Sequence, residues 1–351
     1  MPPAKRAVKL LRGAVEARLP QAAQGRHVDP ADQLPVDPAS WGAAYATAFA
    51  SPEMSAFREN LRIPGRDLRE SVLDDLATYH GITPEEARLR CLTWEERSVQ
   101  EWEAANADDD AGRVAFYRTM QSWSYDLLWW AYLQAEMFAE PSSVMALRFL
   151  QANAAGRRHL DFGAGVGATS QLFVANGWVS TLADLSSTLL EFARFRLERR
   201  DQVADYLDLH RQALPAGAYD AITAIDTLAH VPDVHRTACE LRGALSRDGI
   251  LIANFDIRSP APETAWHLHD DDLRARHDLL RAGFCPITHL GGGLIAYRRV
   301  DDYGLARARR TVWDWATLVS PPRRIARALP RRALTRTRSL LGSRHPPTSP
   351  G

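Results

Sequence analysis

The chain has 351 residues, 46% of them hydrophobic and 25% charged, and its formal net charge is zero. This globular composition provides enough apolar material for one large or two modest domains. Three widely spaced cysteines exclude a disulfide framework and favour a reducing, cytoplasmic location, and the lack of a run of about 18 apolar residues argues against a transmembrane helix.

Basic side chains are concentrated at the two ends of the chain, so the middle is acidic. Residues 304–351 hold eleven arginines against a single acid. Residues 1–40 are predicted to form a basic segment followed by a linker, because four prolines lie in residues 20–40, and ordered structure is expected to begin near Trp41. Residues 301–351 are rich in arginine, proline and serine, and we expect a basic, largely disordered tail.

Residues 41–140 predict a helical domain. A threonine cap before Pro84 predicts a helix over 84–104. The next helix is predicted to begin near Asp110 and to end at Pro141, because aromatic and aliphatic side chains recur at steps of three and four residues.

From residue 157 onward, strands of about five residues alternate with helices, which predicts an α/β fold with a parallel sheet and crossover helices. The last two strands are joined by glycines 291–293, so we expect an antiparallel hairpin. Asp233 is predicted to cap the helix before the fifth strand, and Gly249 is predicted to end it. The predicted strands are 157–161, 179–185, 206–210, 221–226, 250–255, 287–290 and 294–299.

The stretch over residues 159–170 is predicted to run from a strand through a glycine turn into a helix. Gly163, Gly165 and Gly167 let a ligand approach the backbone closely, and the helix start directs N–H groups above the turn. Dinucleotide sites prefer a longer spacing between the last two glycines, which brings a pyrophosphate to the helix end. Asp161 would repel a pyrophosphate and attract a cation. The stretch therefore predicts a nucleotide-like site for a cationic ligand without phosphate.

Leu160 to Gly167 resembles the first motif of class I S-adenosylmethionine-dependent methyltransferases, whose cofactor carries an ammonium and a sulfonium but no phosphate. Asp226 to Asp233 resembles the segment after the fourth strand in the ubiquinone- and menaquinone-type members. The resemblance covers roughly residues 141–300, which we expect to be the methyltransferase domain. It implies S-adenosylmethionine as cofactor, a Rossmann-like sheet with strand order 3-2-1-4-5-7-6, and a helical lid over the acceptor formed by residues 41–140.

The resemblance also implies cofactor contacts at individual positions. Asp184, at the tip of the second strand, would accept hydrogen bonds from the ribose hydroxyls, and Leu185 would lie against the adenine. Family members usually carry an acid after the third strand for the adenine amino group; this chain has none there, and we expect the Gln212 carbonyl to replace it. The implied cofactor-binding residues are Asp161, Gly163, Ala164, Gly165, Gly167, Asp184, Leu185, Gln212, Asp226, Thr227 and Leu228.

His230 is the candidate base for an acceptor hydroxyl, and a structural histidine bonded to loop backbone is the alternative. Tyr125 and Trp129 fall off the main apolar stripe of their helix, and together with His267 they are the candidate acceptor-binding residues. The run from His267 to Asp272 resembles a metal cluster, but its spacing fits no fixed ligand set. We therefore expect an acidic helix start there and no metal.

These features together predict methyl transfer from S-adenosylmethionine to a small-molecule acceptor, on oxygen, nitrogen or carbon. One alternative is a non-catalytic scaffold of the same fold that docks a partner or a membrane through its basic ends. The other is an NAD-dependent oxidoreductase, against which the glycine spacing argues. Nucleic-acid binding is not expected, because no RNA-binding motif accompanies the arginines; the basic tail suits a membrane surface or a protein partner better.

Overall fold

The computed structural model describes residues 27–107, 109–256, 258 and 261–300. The predictions for the N-terminal basic segment before residue 27 and for the tail after residue 300 lie outside these residues. Among the helices in the part of the chain that the structure describes, none combines the length and apolar character needed to cross a membrane.

Twelve α-helices and seven strands are found in the described residues. The helices are α1 (Ala43–Phe49), α2 (Pro52–Leu61), α3 (Leu68–His80), α4 (Pro84–Leu92), α5 (Trp94–Ala104), α6 (Asp110–Thr119), α7 (Ser122–Ala135), α8 (Ser142–Asn153), α9 (Ala168–Ala175), α10 (Ser187–Glu198), α11 (Val234–Ala244) and α12 (Asp272–Ala282). The strands are β1 (Arg158–Phe162), β2 (Val179–Asp184), β3 (Asp205–Asp208), β4 (Tyr219–Ala224), β5 (Leu245–Ala253), β6 (Phe284–Gly291) and β7 (Leu294–Arg299).

The seven strands form one sheet in the order β3-β2-β1-β4-β5-β7-β6, which confirms the predicted order. The pairs among β1 to β5 are parallel, and a helix lies in each of the connections β1–β2, β2–β3 and β4–β5, whereas β7 runs antiparallel to both β5 and β6. The link between β6 and β7 is as short as the three glycines suggested, because Gly292 and Gly293 adopt positive φ values of 52° and 84°. The carboxyl ends of the parallel strands therefore meet at one edge, where ligands bind in open α/β sheets.

Three predicted helix boundaries are wrong. The helix predicted over 84–104 breaks at Thr93, and the one predicted from Asp110 to Pro141 breaks at Met120, whose ψ of 135° is extended. The helix capped by Asp233 ends at Ala244 rather than at Gly249, because Leu245 already pairs with Tyr219 of β4. Sheet pairing and tertiary packing override local helix propensity at these points.

The N-terminal helices and one face of the sheet share a hydrophobic core. Leu76 of α3, Leu128 of α7, Phe173 of α9 and Ile252 of β5 all belong to the same buried cluster. A helical region that shares its core with the sheet is held firmly at the sheet's ligand-binding edge.

Residues 27–40, predicted to belong to a linker, instead pack against the helices, and the expectation that order begins near Trp41 is wrong. The Asp29 carboxylate is buried and accepts hydrogen bonds from Arg69 and Arg88 at 2.6–3.2 Å. The Trp129 Nε1–H donates to the Val28 carbonyl at 3.0 Å. A buried ion pair with two arginines is a tertiary contact that proline content does not reveal.

Candidate functional site

The glycine turn after β1 is tight because other side chains occupy the space around it. Gly163, Gly165 and Gly167 have φ values of 73°, 53° and 74°, which side-chain-bearing residues rarely adopt. A Cβ atom on Gly163 would overlap the Thr227 side chain, and one on Gly165 would lie 2.6 Å from Leu127 Cδ1. Only glycine fits at these positions, and the turn brings Thr227 and α7 close to the end of β1.

Four backbone amides of the turn donate hydrogen bonds inside the protein. Gly163 and Ala164 both donate to the Ala183 carbonyl, Gly167 donates to the Ala164 carbonyl, and Gly165 donates to Asp184 Oδ2 at 2.9 Å. A phosphate site needs an array of amides that point at the ligand. The turn is therefore built for close approach by a ligand without phosphate, as its spacing predicted.

A cavity of about 410 Å³ opens above the turn. Its walls come from the turn, the ends of β2 and β4, helices α6 and α7, and the segment between β5 and α12. Among the described residues, four carboxylates and one guanidinium reach this cavity: Asp126, Asp184, Asp226, Asp256 and Arg113. The excess of negative charge favours a cationic ligand.

Asp184 and Leu185, for which ribose and adenine contacts were predicted, both line the cavity. Asp184 Oδ2 accepts from Gly165 N, and Oδ1 accepts from Ser186 N at 2.8 Å. Burial raises the pKa of Asp184, and these amides oppose the shift by stabilising the charged form. Leu209, after β3, lies in the same wall and completes an apolar surface that the sequence reasoning did not identify.

Asp226 also lines the cavity, in a backbone conformation that is unusual for aspartate. Its φ is 53°, in the left-handed region. A reciprocal pair with Asn254 holds it, because Asn254 Nδ2 donates to Asp226 Oδ1 at 2.5 Å and Asp226 N donates to Asn254 Oδ1 at 2.7 Å. Thr227 lines the cavity beside it. Backbone strain that the surroundings enforce is common at ligand sites.

Asp161 does not line the cavity. Its carboxylate is buried behind the turn and accepts from Ser170 N at 3.1 Å, Ser170 Oγ at 2.9 Å and Thr223 Oγ1 at 2.8 Å. It thus caps the first turn of α9 from the neighbouring strand. Burial raises the pKa of Asp161 to about 6, although the three hydrogen bonds act in the opposite direction. The buried His159 ring bonds Thr223 Oγ1 and Ser180 Oγ at 2.9 and 2.8 Å and extends this network.

The structure also leaves four other predicted cofactor residues outside the cavity wall. Gln212 is exposed after β3 and does not line the cavity, so it is not placed to make the adenine contact predicted for it. Leu209, three residues earlier, lines the cavity instead. Leu228 is fully buried in the core under β4. Ala164 and Gly167 shape the turn but pack towards α10.

His230 lines the cavity, and its Nδ1 lies 2.8 Å from the Trp266 carbonyl. A carbonyl only accepts, so Nδ1 carries the proton and Nε2 carries the lone pair of the neutral ring. The Tyr117 hydroxyl donates to the same carbonyl at 3.2 Å. His230 is thus bonded to loop backbone, as the structural alternative expected, and that bond also gives Nε2 the tautomer of a base.

His267 lines the same cavity and lies next to His230, with ring centroids 4.7 Å apart. Its Nδ1 lies 2.8 Å from the Asp256 carbonyl, so it has the same tautomer. His269, two residues later, bonds the Val231 carbonyl through Nε2 at 2.7 Å. Asp271 caps α12, as expected. Within the described residues, His, Cys, Asp and Glu side chains form no group of three or more that could hold a metal.

Tyr125 and Trp129 do not reach the cavity, so their prediction as acceptor-binding residues is wrong. Tyr125 stacks on His80 and accepts from Arg90, and Trp129 donates to Val28, all within the helical core. On α7 the cavity is lined instead by Trp123, Asp126 and Leu127, which are spaced three and four residues apart on the opposite face. Asp126 is the only charged residue of α7, and this was the available sequence signal.

Trp266, which no sequence motif indicated, anchors the segment between β5 and α12. Its buried indole packs at 6.0–6.5 Å from the rings of Trp94, Trp102, Phe116 and Trp123, which belong to α5, α6 and α7. Trp94, Trp123 and Trp266 also line the cavity. Trp123 lies next to His230, with ring centroids 5.3 Å apart, so the aromatic cluster and His230 share one part of the cavity wall.

A family model described as a methyltransferase domain matches residues 130–286. A ubiquinone biosynthesis O-methyltransferase of Histophilus somni is 30% identical over 116 residues, which are 30% of this chain and 49% of that protein. The corresponding enzyme of Aromatoleum aromaticum is 39% identical over 85 residues, 23% of this chain and 36% of that protein. A demethylmenaquinone methyltransferase of Tropheryma whipplei is 30% identical over 98 residues, 28% of this chain and 41% of that protein.

The chain thus matches half or less of the length of these relatives. Among solved structures, an S-adenosylmethionine-dependent methyltransferase from Mesorhizobium loti aligns with 20% identity and a TM-score of 0.37, over 45% of this chain and 98% of that chain. Residues 130–286 therefore match the model of a methyltransferase domain, and the chain is similar to curated methyltransferases over part of their length.

Proposed function

We propose that this chain transfers a methyl group from S-adenosylmethionine to a hydroxyl group of a small, flat, largely apolar molecule. The observation that carries the proposal is that one cavity joins Asp184 and the glycine turn to His230 and an aromatic wall. The first half suits the nucleoside end of the cofactor. The second half suits an uncharged ring that lies among indoles.

The residues present fit the cofactor by their chemistry. The turn offers close backbone approach without a phosphate cradle, and the carboxylates of Asp184, Asp226 and Asp126 give the cavity a negative potential. When bound, S-adenosylmethionine supplies an electrophilic methyl group on a sulfonium, which leaves as a neutral thioether. The remaining tasks fall to the protein, which must orient the acceptor, exclude water and take up a proton.

His230 is the group that we assign to the proton. The bond from Nδ1 to the Trp266 carbonyl places the proton of the neutral ring on Nδ1, so Nε2 is the nitrogen that would take a proton from an acceptor hydroxyl. The acceptor oxygen, once it has lost its proton, would use its lone pair to bond the methyl carbon. The electrons of the broken carbon–sulfur bond would remain on sulfur. The imidazolium then returns its proton to solvent, so charge and atoms balance.

Binding and transfer can be tested separately. Isothermal titration should detect binding of S-adenosylhomocysteine and no binding of NAD. Asp184→Asn should weaken the affinity for S-adenosylhomocysteine at least about tenfold, because it replaces a carboxylate on the cavity wall. Asp205→Asn is the control, because Asp205 is exposed at the opposite end of the edge strand and lies outside the cavity wall. Binding of NAD alone would favour the oxidoreductase alternative.

Transfer is tested with S-adenosylmethionine labelled in its methyl group and a panel of hydroxylated aromatic compounds and their amine analogues. Label in the hydroxylated compounds supports the proposal, and label in the amines alone overturns the assignment to oxygen. Cofactor binding without labelled product from the panel or from host extract would favour the scaffold alternative.

A further inference from the structure

A buried guanidinium lies behind the glycine turn. Arg196 of α10 is fully buried, and its Nη1 donates to the Val166 carbonyl at 2.5 Å. Its Nη2 donates to Gln171 Oε1, on α9, at 2.6 Å. Neither Arg196 nor Val166 lines the cavity. The guanidinium therefore contacts the turn from the side opposite the ligand.

The counter-ion of Arg196 comes from the helical region. Arg196 Nε donates to Asp75 Oδ2 of α3 at 3.3 Å, and Asp75 is also fully buried. Arg199 and Arg200 bond the same carboxylate at 2.8 Å. Burial lowers the pKa of Arg196 to about 10, and Asp75 opposes that shift, so the side chain stays cationic at neutral pH. A buried cation needs such a partner to be tolerated.

The turn also packs directly on the helix that carries Arg196. A Cβ atom on Gly167 would lie 2.8 Å from Leu182 Cδ2 and 3.1 Å from Ala193 Cβ, the latter on α10. Because the Val166 carbonyl is bound by a charged donor, the peptide between Val166 and Gly167 cannot rotate without breaking a charge-assisted hydrogen bond. The left-handed conformation of Gly167, with a φ of 74°, is thus fixed on both sides.

We propose that Arg196 is a positioning residue of the cofactor site, which locks the Val166 peptide and couples the shape of the glycine turn to the docking of α3. The ligand's identity rests on the proposed function; the lock itself is a property of the ligand-free protein. Since both α3 and the ligand favour the same turn conformation, weakening the contact between Asp75 and Arg196 lowers ligand affinity without touching the cavity.

Arg196→Lys tests the proposal, because lysine keeps the charge but lacks the planar fork that reaches Val166, Gln171 and Asp75 together. Arg199→Lys is the matched control, since the Arg199 guanidinium donates hydrogen bonds to Asp74 and Asp75 rather than to the turn. We expect Arg196→Lys to speed hydrogen exchange over residues 163–171 of the ligand-free protein at least about tenfold and to weaken S-adenosylhomocysteine binding by a similar factor. Arg199→Lys should change both by less than about twofold, whatever its effect on thermal stability.

Equal changes in the two variants, or unchanged exchange at the turn in Arg196→Lys, would overturn the proposal. If Arg196→Lys does not fold, Gln171→Met removes one of the three partners of the guanidinium and should speed exchange at the turn about threefold. No acceleration there would also overturn it. Failure of the parent protein to bind S-adenosylhomocysteine would contradict the proposed function alone, because the exchange experiment needs no ligand.

Discussion

Two aspartates at strand ends, Asp161 and Asp184, were both expected to bind the cofactor, and the structure brings only Asp184 to the cavity. Asp184 reaches the cavity and fixes the turn through Gly165 N. Asp161 faces the protein interior, where Ser170 and Thr223 surround it with donors. The two positions look alike in sequence because both follow a hydrophobic strand. What differs is the surroundings, because Ser170 and Thr223 enclose Asp161 whereas Asp184 lies at the cavity.

The raised pKa of Asp161 predicts a pH-dependent stability. Its carboxyl has a pKa of about 6 in the folded protein against 3.8 for an ordinary aspartate, so this group's contribution is fully present below about pH 4 and is lost as the pH rises through about 6. Asp161→Asn removes that loss. Between about pH 4 and pH 7, the unfolding free energy of the parent should therefore fall by up to about 3 kcal/mol relative to that of the variant. Urea unfolding of both proteins across this pH range measures the change.

Asp220→Asn provides the matched control with the opposite sign. Hydrogen bonds from Arg158 lower the pKa of Asp220, so its contribution is present at neutral pH and is lost as the pH falls through the acid range. As the pH rises, the unfolding free energy of the parent should therefore increase relative to that of Asp220→Asn. A pH-independent difference for Asp161→Asn would show that its carboxyl is not perturbed as described.

The tautomer of His230 predicts a defect in transfer without a defect in binding. In His230→Asn the amide can still donate to the Trp266 carbonyl, but no base is left. We expect kcat to fall about 10²- to 10⁴-fold, with S-adenosylhomocysteine affinity changed by less than about threefold. His235→Asn, on α11 and outside the cavity wall, should keep its kcat. An unchanged kcat in His230→Asn would leave this histidine with only its structural bond.

At the scale of elements, the breaks that local signals did not reveal are the ones that build the site. The break at Met120 separates α6 from α7, and Met120 itself lines the cavity. It sets the rotation of α7 so that Trp123 and Asp126 face the sheet while Tyr125 faces the helical core. In a continuous helix, the side-chain directions of α7 would follow from those of α6. Tyr125 and Trp129 were predicted to bind the acceptor on the assumption of one such helix.

The anchoring of the segment between β5 and α12 predicts a coupled loss of stability and activity. Trp266→Ala removes a buried indole and should cost about 3–5 kcal/mol of unfolding free energy. It should also lower kcat more than Trp102→Ala does, because the Trp266 carbonyl that holds His230 loses its anchor. Trp102, in the same aromatic cluster, is the control for packing alone. Urea unfolding and steady-state kinetics measure the two effects, and equal kcat values in both variants would contradict the link.

At the scale of the whole molecule, the helical front half and the sheet meet through buried charges as well as through a shared core. Asp75 of α3 bonds three arginines near the end of α10, and Asp29 bonds two arginines of the helical region. Breaking such buried pairs on one side is costly because it leaves an uncompensated charge. The helices that cover the cavity are therefore fixed to the protein by contacts distant in sequence.

The basic tail predicts a charge-driven association that is separate from the methyltransferase site. Residues 304–351 carry eleven arginines, and each arginine near an anionic surface contributes about 1 kcal/mol. The full chain should sediment with vesicles rich in phosphatidylserine, and a chain ending at residue 303 should not. Sedimentation should weaken as salt is raised and should be absent with neutral vesicles. Equal sedimentation of the two chains would assign any membrane contact elsewhere.

The sequence by itself predicted the hairpin, the glycine turn and the acid at Asp184, because these depend on residue type at short, regular spacings. The strand order followed from the resemblance of two motifs to a known family and not from the spacings. Only the tertiary structure decided which of those side chains reach the ligand. Asp161 and Leu228 match motif positions yet lie outside the cavity wall, as does Gln212, which was expected to replace a missing acid. Trp266 and Asp126 line the cavity from outside the two matched motifs. The physical reason is that a cavity wall is made by side chains from elements far apart in the chain, and helix rotation and loop anchoring, which set their directions, result from packing rather than from local sequence.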